Sequence, residues 1–176
     1  MTPVEAIVAA IRDVPDFPKE GIVFKDITPI LADPVLLRDA IELLATPYRS
    51  RGIAKVAAVE ARGFILGVGV AQALQAGFVP IRKQGKLPGA TVSQDYDLEY
   101  GKATLELHRD AFTPGERVLL LDDLLATGGT AAAAANLIEQ AGGEVAAIEF
   151  LIELDFLNGR ARLDGYHVHA PIHVTD

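Results

Sequence analysis

The chain has 176 residues, which is enough for one domain with a hydrophobic core and too few to divide comfortably into two. Half of the residues are hydrophobic and 23% are charged, so the composition predicts a globular protein rather than a disordered one. The net charge of −8 argues against a nucleic-acid-binding protein, and the lack of cysteine excludes disulfide scaffolds and thiolate zinc sites. No apolar run is long enough to span a bilayer, and we expect a cytoplasmic protein without a membrane segment.

Two helices are predicted in the first third of the chain. Thr2 is placed to cap the first helix, and Glu5 completes a capping box three residues later. An irregular, proline-containing stretch over 14–29 follows. A second helix is predicted from Asp33 to about Thr46, because apolar residues recur there at helical spacing.

Short apolar strands alternate with helices over the rest of the chain. A helix closed by Gly77 is predicted after the first strand, a polar segment over 83–101 after the second, and a helix over 127–141 before the last. This alternation predicts an α/β fold with a parallel sheet, in which ligands gather at the carboxyl ends of the strands. The predicted strands cover residues 55–61, 78–82, 103–108, 117–122 and 144–154.

Two adjacent carboxylates, Asp122 and Asp123, end an apolar strand directly before a small turn with two glycines. The turn over 126–130 opens a helix, and free amide groups at a helix start suit an anion such as a phosphate monoester. Neighbouring like charges persist where cations or hydroxyl groups meet them. Together these features predict a ligand with a phosphate at one end and a diol beside it, a ribose 5-phosphate. The alternative for the turn alone is a tight turn closed by a capping side chain.

Other polar motifs carry weaker signals. The chain has no P-loop pattern, and the glycines around Gly67 lack the third glycine of a dinucleotide-binding fingerprint, so close helix packing is the better interpretation of them. His167 and His169 lie on one face of a presumed strand and are candidate metal ligands. A polar edge strand is the preferred interpretation, since Pro171 suits an edge.

The segment "VLLLDDLLATGGT" resembles the phosphoribosyl-pyrophosphate-binding motif of the type I phosphoribosyltransferases, in the form usual for members that act on adenine. Three further segments resemble this family in the same order: "DFPKEGIVFKDITPIL" its base-binding segment, "EARGF" its pyrophosphate loop, and "RKQGKLPGATVSQDYDLEYG" its mobile lid. The resemblance implies a single domain over 1–176 with a central, mostly parallel sheet flanked by helices. It also implies a small hood from about 1–32 and 154–176, and a lid over about 83–102.

The resemblance implies a role for each motif in binding the sugar donor. The ribose and its phosphate would be bound by Asp122, Asp123, Ala126, Thr127, Gly128, Gly129 and Thr130. The pyrophosphate would be bound by Arg62, Arg82, Lys83 and Lys86. Mg²⁺ is implied as the cofactor, held mainly by oxygens of the substrate.

The resemblance also implies how the base is bound and attacked. Backbone groups of Val23 and Lys25 would read the edge of the base, and Phe24 and Leu154 would sandwich its ring. In the lid, Glu99 and Tyr100 match positions that close over the reacting centre. Glu99 is the candidate for assisting proton transfer at the purine, and Tyr100 for excluding water. Asp122 and Asp123 would hold the ribose hydroxyls and favour the cationic sugar of the transition state.

The implied reaction is the transfer of the phosphoribosyl group from phosphoribosyl pyrophosphate to adenine, giving AMP and pyrophosphate in purine salvage. The resemblance also implies a homodimer. One alternative is a phosphoribosyltransferase for another purine or a pyrimidine, because base recognition through the backbone leaves no side-chain signature. A second alternative is a regulator that keeps the sugar-phosphate site as a sensor, although the acidic chain lacks the basic surface such proteins use to bind nucleic acid.

Overall fold

The computed structural model describes residues 1–98 and 101–175. Helix α1 (Pro3–Ala10) begins with the predicted capping box: the amide of Glu5 donates to Thr2 Oγ1 at 3.2 Å, and the amide of Thr2 donates to Glu5 Oε2 at 2.7 Å. The stretch predicted to be irregular contains the antiparallel pair β1 (Arg12–Pro15) and β2 (Val23–Asp26), followed by a short helix α2 (Thr28–Ala32). Helix α3 (Pro34–Ala45) begins directly after Asp33, as predicted, and the carboxylate of Asp33 caps it.

The remaining elements build one sheet with helices on both faces. In chain order they are β3 (Lys55–Val59), α4 (Arg62–Leu74), β4 (Gly77–Lys83), β5 (Thr91–Asp97), β6 (Lys102–His108), β7 (Arg117–Leu125), α5 (Gly129–Gln140), β8 (Glu144–Leu154), β9 (Val168–His169) and β10 (Ile172–Val174). Short 3₁₀ helices cover Thr46–Tyr48, Asp155–Leu157 and Gly159–Leu163.

The strands run in the order β10-β8-β7-β3-β4-β6-β5, and β9 also pairs with β8. The pairs from β10 to β4 are parallel, whereas β6 and β5 join as an antiparallel extension. The central sheet is therefore mostly parallel, which confirms the predicted fold class. Among the described residues, no helix has the length and apolarity needed to cross a membrane.

Strand β7 shows why a continuous apolar run marks the centre of such a sheet. Val118 and Leu120 face one core, which α5 covers, while Leu119 and Leu121 face the other, which α1, α3 and α4 cover. All four side chains are at most 1% exposed. Because successive side chains of a strand point to opposite faces, a strand buried on both sides has no polar alternation.

The structure corrects several predicted boundaries. Helix α4 ends at Leu74, where Gln75 takes the left-handed conformation, and Gly77 instead begins β4 with its amide bonded to the carbonyl of Ala54. Strand β7 continues to Leu125, so the two aspartates lie within it. Helix α5 begins at Gly129, two residues later than predicted. The polar segment predicted over 83–101 contains the strand β5, which pairs with β6 along its whole length.

Candidate active site

The parallel strands β3 and β7 bring the predicted acidic and basic residues to one edge of the sheet. Ala58 of β3 pairs with Leu121, one residue before Asp122, and the chain turns into α4 at Arg62. The Nε of Arg62 donates a hydrogen bond to Asp123 Oδ2. Asp123 is 5% exposed, so its charge is removed from water and the guanidinium is its compensating partner.

Asp122 has a different environment from its neighbour. Its Oδ1 accepts the amide hydrogen of Asp123 at 2.9 Å, and a Cβ on Gly63 would lie 2.9 Å from the same oxygen, so glycine allows this close approach. The pKa of Asp122 is raised well above its ordinary value. The main cause is the loss of hydration, and the second is the negative charge of Asp123. The pair is therefore asymmetric: one carboxylate has a cationic partner, and the other takes up a proton more readily.

The predicted phosphate loop lies next to this pair at the start of α5. Gly128 precedes the helix with a φ of +83°, a left-handed conformation that glycine adopts without a steric penalty. Among the described residues, no side chain caps α5 and its first turn carries no acidic residue. The structure therefore contradicts the alternative interpretation of this segment, a tight turn closed by a capping side chain. A cavity of about 90 Å³ is lined by Asp122, Leu124, Leu125, Ala126, Thr127, Gly128, Gly129, Thr130, Ala131 and Phe150.

The predicted pyrophosphate-binding residues gather around Glu60. Its Oε1 accepts the amide hydrogen of Lys83 at 2.7 Å and a hydrogen bond from Arg82 Nε at 3.3 Å. Arg82 Nη1 also donates to the carbonyl oxygen of Lys86 at 3.4 Å. Across residues 1–98 and 101–175, the ammonium groups of Lys83 and Lys86 make no ion pair, so both are available to an anion. Glu60 ends at the same edge of the sheet, and its role in orienting Arg82 depends on a contact across 22 residues that leaves no local pattern in the sequence.

The N-terminal segment contributes an aromatic face to the same site. The guanidinium carbon of Arg62 lies 5.1 Å from the ring centroid of Phe24, within the range of a cation–π contact. Phe17 packs edge-on against Phe24 with a centroid distance of 5.2 Å, and it is a neighbour that the sequence did not indicate. Arg62 therefore joins the predicted base-binding segment to the buried carboxylate of Asp123.

The structure also gives the positions of the other residues predicted to bind the base. Val23 is exposed on β2, and the ammonium group of Lys25 pairs with Asp13 Oδ1 at 2.8 Å. Leu154 is buried at the end of β8, where it pairs with Val174 of β10. The predicted catalytic residues Glu99 and Tyr100 lie outside the described residues.

A buried polar cluster on the sheet accounts for one of the candidate metal-binding histidines. Tyr48 Oη donates to Glu149 Oε2 at 2.5 Å, and His169 Nδ1 lies 2.9 Å from Glu149 Oε1. Burial raises the pKa of Glu149 to about 8 and lowers the pKa of His169. Both shifts favour the form in which the Glu149 carboxyl group keeps the proton and the imidazole of His169 is neutral. The imidazole of His169 is therefore a hydrogen-bond partner of the buried Glu149. Strand β10, which follows Pro171, forms the edge of the sheet.

The pKa of Glu149 predicts a pH-dependent stability. Because its folded-state pKa of about 8 lies above the ordinary value of 4.5, Glu149 stabilises the folded state fully below pH 4.5, and this contribution is lost as the pH rises to 8. We expect the free energy of unfolding in urea to fall more steeply between pH 5 and pH 8 in the native protein than in Glu149→Gln. His169 titrates in the opposite sense and is present in both proteins. Parallel pH profiles would contradict the assignment.

Within the described part of the chain, a group of possible metal ligands lies at the end of β8 and on β10. Oxygens of Glu153 and Asp155 and a ring nitrogen of His173 come within 4.8 Å of one another. Arg160 donates to both carboxylate oxygens of Glu153 at 2.7 to 2.9 Å, which compensates the charge of that group. These carboxylates are distant from His173 in the sequence, and the pairing of β10 with β8 brings them together with it.

Comparisons with known proteins agree on one family. Residues 26–166 match the family model of the phosphoribosyl transferase domain. An adenine phosphoribosyltransferase from Dinoroseobacter shibae is 59% identical over 164 residues, which cover 93% of this chain and 92% of that protein.

Two solved structures extend this agreement to the fold. The adenine phosphoribosyltransferase of Thermoanaerobacter pseudethanolicus superposes with a TM-score of 0.95 at 52% identity, covering 97% of this chain and 99% of that one. The enzyme of Saccharomyces cerevisiae, complexed with an imino-altritol bisphosphate and adenine, superposes with a TM-score of 0.91 at 38% identity, covering 96% and 97%.

Proposed function

Since the chain belongs to the phosphoribosyltransferase family and is an adenine phosphoribosyltransferase, we propose that Asp122, Asp123 and the loop over 126–130 bind the ribose 5-phosphate of its donor. The enzyme transfers the phosphoribosyl group from phosphoribosyl pyrophosphate to adenine and releases AMP and pyrophosphate. The observation that supports the residue assignment is the start of α5 without a side-chain cap, next to the buried Asp123 and the half-buried Asp122. It offers amide donors to a phosphate and carboxylate acceptors to the adjacent hydroxyl groups.

The aspartate pair also suits the charge that develops during transfer. As pyrophosphate leaves the anomeric carbon, positive charge builds on the sugar, and fixed negative groups stabilise such a transition state. Arg62 already holds the carboxylate of Asp123 in place, so this side chain needs little movement to stabilise the cationic sugar. Asp122, with its raised pKa, is the better acceptor for a proton or a hydroxyl hydrogen.

The leaving pyrophosphate would lie between the strand ends and the lid. We assign its binding to Arg82 and to the ammonium groups of Lys83 and Lys86, with Arg62 as a fourth cation. Glu60 holds Arg82 and the amide of Lys83 in place. These cations are needed because the protein carries a net charge of −8, which by itself repels the donor.

For adenine we assign the backbone of Val23 and Lys25 to the edge of the base, and Phe24 and Leu154 to its ring. The side chain of Lys25 is paired with Asp13, which is compatible with recognition through its backbone. Glu99 and Tyr100 keep their proposed roles in proton transfer and water exclusion. The homodimer and the cytoplasmic location that the resemblance implies stay predictions.

Mg²⁺ fits this site as an ion carried by the substrate. Oxygen ligands suit the ion, but within the described part of the chain Asp123 is paired with Arg62, and the pKa of Asp122 is raised. Oxygens of the pyrophosphate and ribose would therefore supply most of its ligands, with Asp122 and Asp123 close by. When bound, the ion neutralises the charge that develops on the leaving pyrophosphate.

A direct assay of base selection tests this function. The protein is mixed with phosphoribosyl pyrophosphate, Mg²⁺ and one base at a time, namely adenine, hypoxanthine, guanine or orotate, and pyrophosphate release is measured. We expect the highest kcat/KM with adenine. A higher kcat/KM with another base would show that this base, and not adenine, is the substrate. Absence of turnover with every base would favour a regulator that binds the sugar donor without catalysis.

A further inference from the structure

The 3₁₀ helix Gly159–Leu163 packs directly on the phosphate loop. A Cβ on Gly159 would lie 2.3 Å from the carbonyl oxygen of Ala126, and a Cβ on Gly128 would lie 2.4 Å from the carbonyl oxygen of Gly159. Both distances are too short for any side chain, so the two backbones touch only because both residues are glycine. The C-terminal segment therefore forms one wall of the phosphate loop.

The two arginines of this 3₁₀ helix have different surroundings. Arg160 is fully engaged in the fold: its guanidinium donates to both carboxylate oxygens of Glu153, and its Nη1 donates to the carbonyl oxygen of Val168 at 2.8 Å. This pairing ties the 3₁₀ helix to β8 and β9. Arg162 is exposed, and in the described part of the chain no carboxylate pairs with it.

Arg162 extends along the phosphate loop toward the start of α5. Its Cβ would lie 3.3 Å from a Cβ on Gly128, and its Nη1 would lie 3.2 Å from a Cβ on Gly129. Gly129 is the first residue of α5, where the helix dipole places partial positive charge. A guanidinium and a helix start that converge on one point repel each other, and an anion between them removes this repulsion.

We propose that Arg162 is a phosphate-binding residue, whose guanidinium binds the 5′-phosphate of the donor and of AMP beside the start of α5. This inference rests on the proposed function of the loop over 126–130. Gly159 is a positioning residue in the same arrangement, since it brings the 3₁₀ helix close enough for the guanidinium to reach Gly129. Arginine suits this position because its planar fork binds two phosphate oxygens at once.

The test compares ligands that differ only in the 5′-phosphate. The dissociation constants of AMP and adenosine are measured by calorimetry for the native enzyme, Arg162→Gln and Arg162→Lys, and those of ribose 5-phosphate and pyrophosphate are added for reference. In Arg162→Gln we expect the affinity for AMP and ribose 5-phosphate to fall about tenfold or more, because a charge-assisted contact is lost. Affinity for adenosine and pyrophosphate should stay within about twofold. Arg162→Lys should keep part of the AMP affinity.

Arg109→Gln is the matched control, because Arg109 is also an exposed arginine and follows β6 on a different part of the fold. It should leave the AMP-to-adenosine ratio unchanged. An unchanged ratio in Arg162→Gln would overturn the inference, and so would an equal loss for adenosine, which would show that Arg162 only supports packing. If the native enzyme itself binds AMP no better than adenosine, the phosphate loop assignment fails instead.

Discussion

Replacing Asp123 by Asn should lower kcat/KM for the forward reaction by about a hundredfold to a thousandfold, with the fold preserved. The change removes a negative charge that is 5% exposed and aligned by Arg62, and single preorganised electrostatic contacts contribute about this much to a transition state. The measurement is steady-state pyrophosphate release with saturating Mg²⁺, together with circular dichroism to verify the fold. Turnover within about threefold of the native enzyme would refute the assigned role of Asp123.

Two further variants sharpen this result. Asp122→Asn should be less damaging than Asp123→Asn, because the raised pKa of Asp122 brings the native side chain closer to the neutral form that asparagine imitates. Asp110→Asn serves as a control, since Asp110 is an exposed aspartate after β6. An equal loss in the two active-site variants would contradict the asymmetry of the pair.

Replacing Gly128 by Ala should raise the KM for phosphoribosyl pyrophosphate by about tenfold or more and lower the melting temperature by several degrees. Alanine in the left-handed conformation costs about 1–2 kcal/mol, and its Cβ would lie 2.4 Å from the carbonyl oxygen of Gly159. The loop must move away from the 3₁₀ helix to relieve that contact, which displaces the amide groups assigned to the phosphate. Steady-state kinetics and thermal unfolding measure the two effects.

Gly115→Ala separates the effect of backbone strain from the effect of the contact with Gly159. Gly115 has nearly the same φ, +81° compared with +83° at Gly128, but a Cβ there would meet nothing within 4 Å. Gly115→Ala should therefore show the loss of melting temperature that comes from backbone strain alone, with an unchanged KM for the donor. If Gly128→Ala and Gly115→Ala behave alike in both measurements, the contact with Gly159 has no functional role.

Strand β5 shows where a local sequence pattern is insufficient to predict a strand. Its residues, Thr91 to Asp97, are mostly polar and include two aspartates, so the sequence predicts only a polar segment there and no strand. The alternation of exposed and half-buried positions arises because one face packs toward α5 and the other faces water. Pairing with β6 over seven residues stabilises the strand, and this pairing is a tertiary contact rather than an intrinsic preference.

The sequence by itself determined the elements whose causes are local. The capping box at Thr2, the apolar run of β7 and the glycine turn before α5 act within a few residues, so their patterns predicted a helix start, a central strand and an anion-binding turn. The resemblance to the family added the roles of these motifs, because its four segments occur in the same order along the chain.

Only the tertiary structure decided the partners that meet across long separations in the chain. Arg62 and Asp123 are 61 residues apart, and Tyr48 and Glu149 are 101 residues apart. Gly159 reaches the phosphate loop in the same way. Such contacts depend on strand order and on how closely two backbones approach, and neither leaves a periodic signal in the sequence. Local residue patterns therefore specified which groups this enzyme has, and packing specified which of them touch.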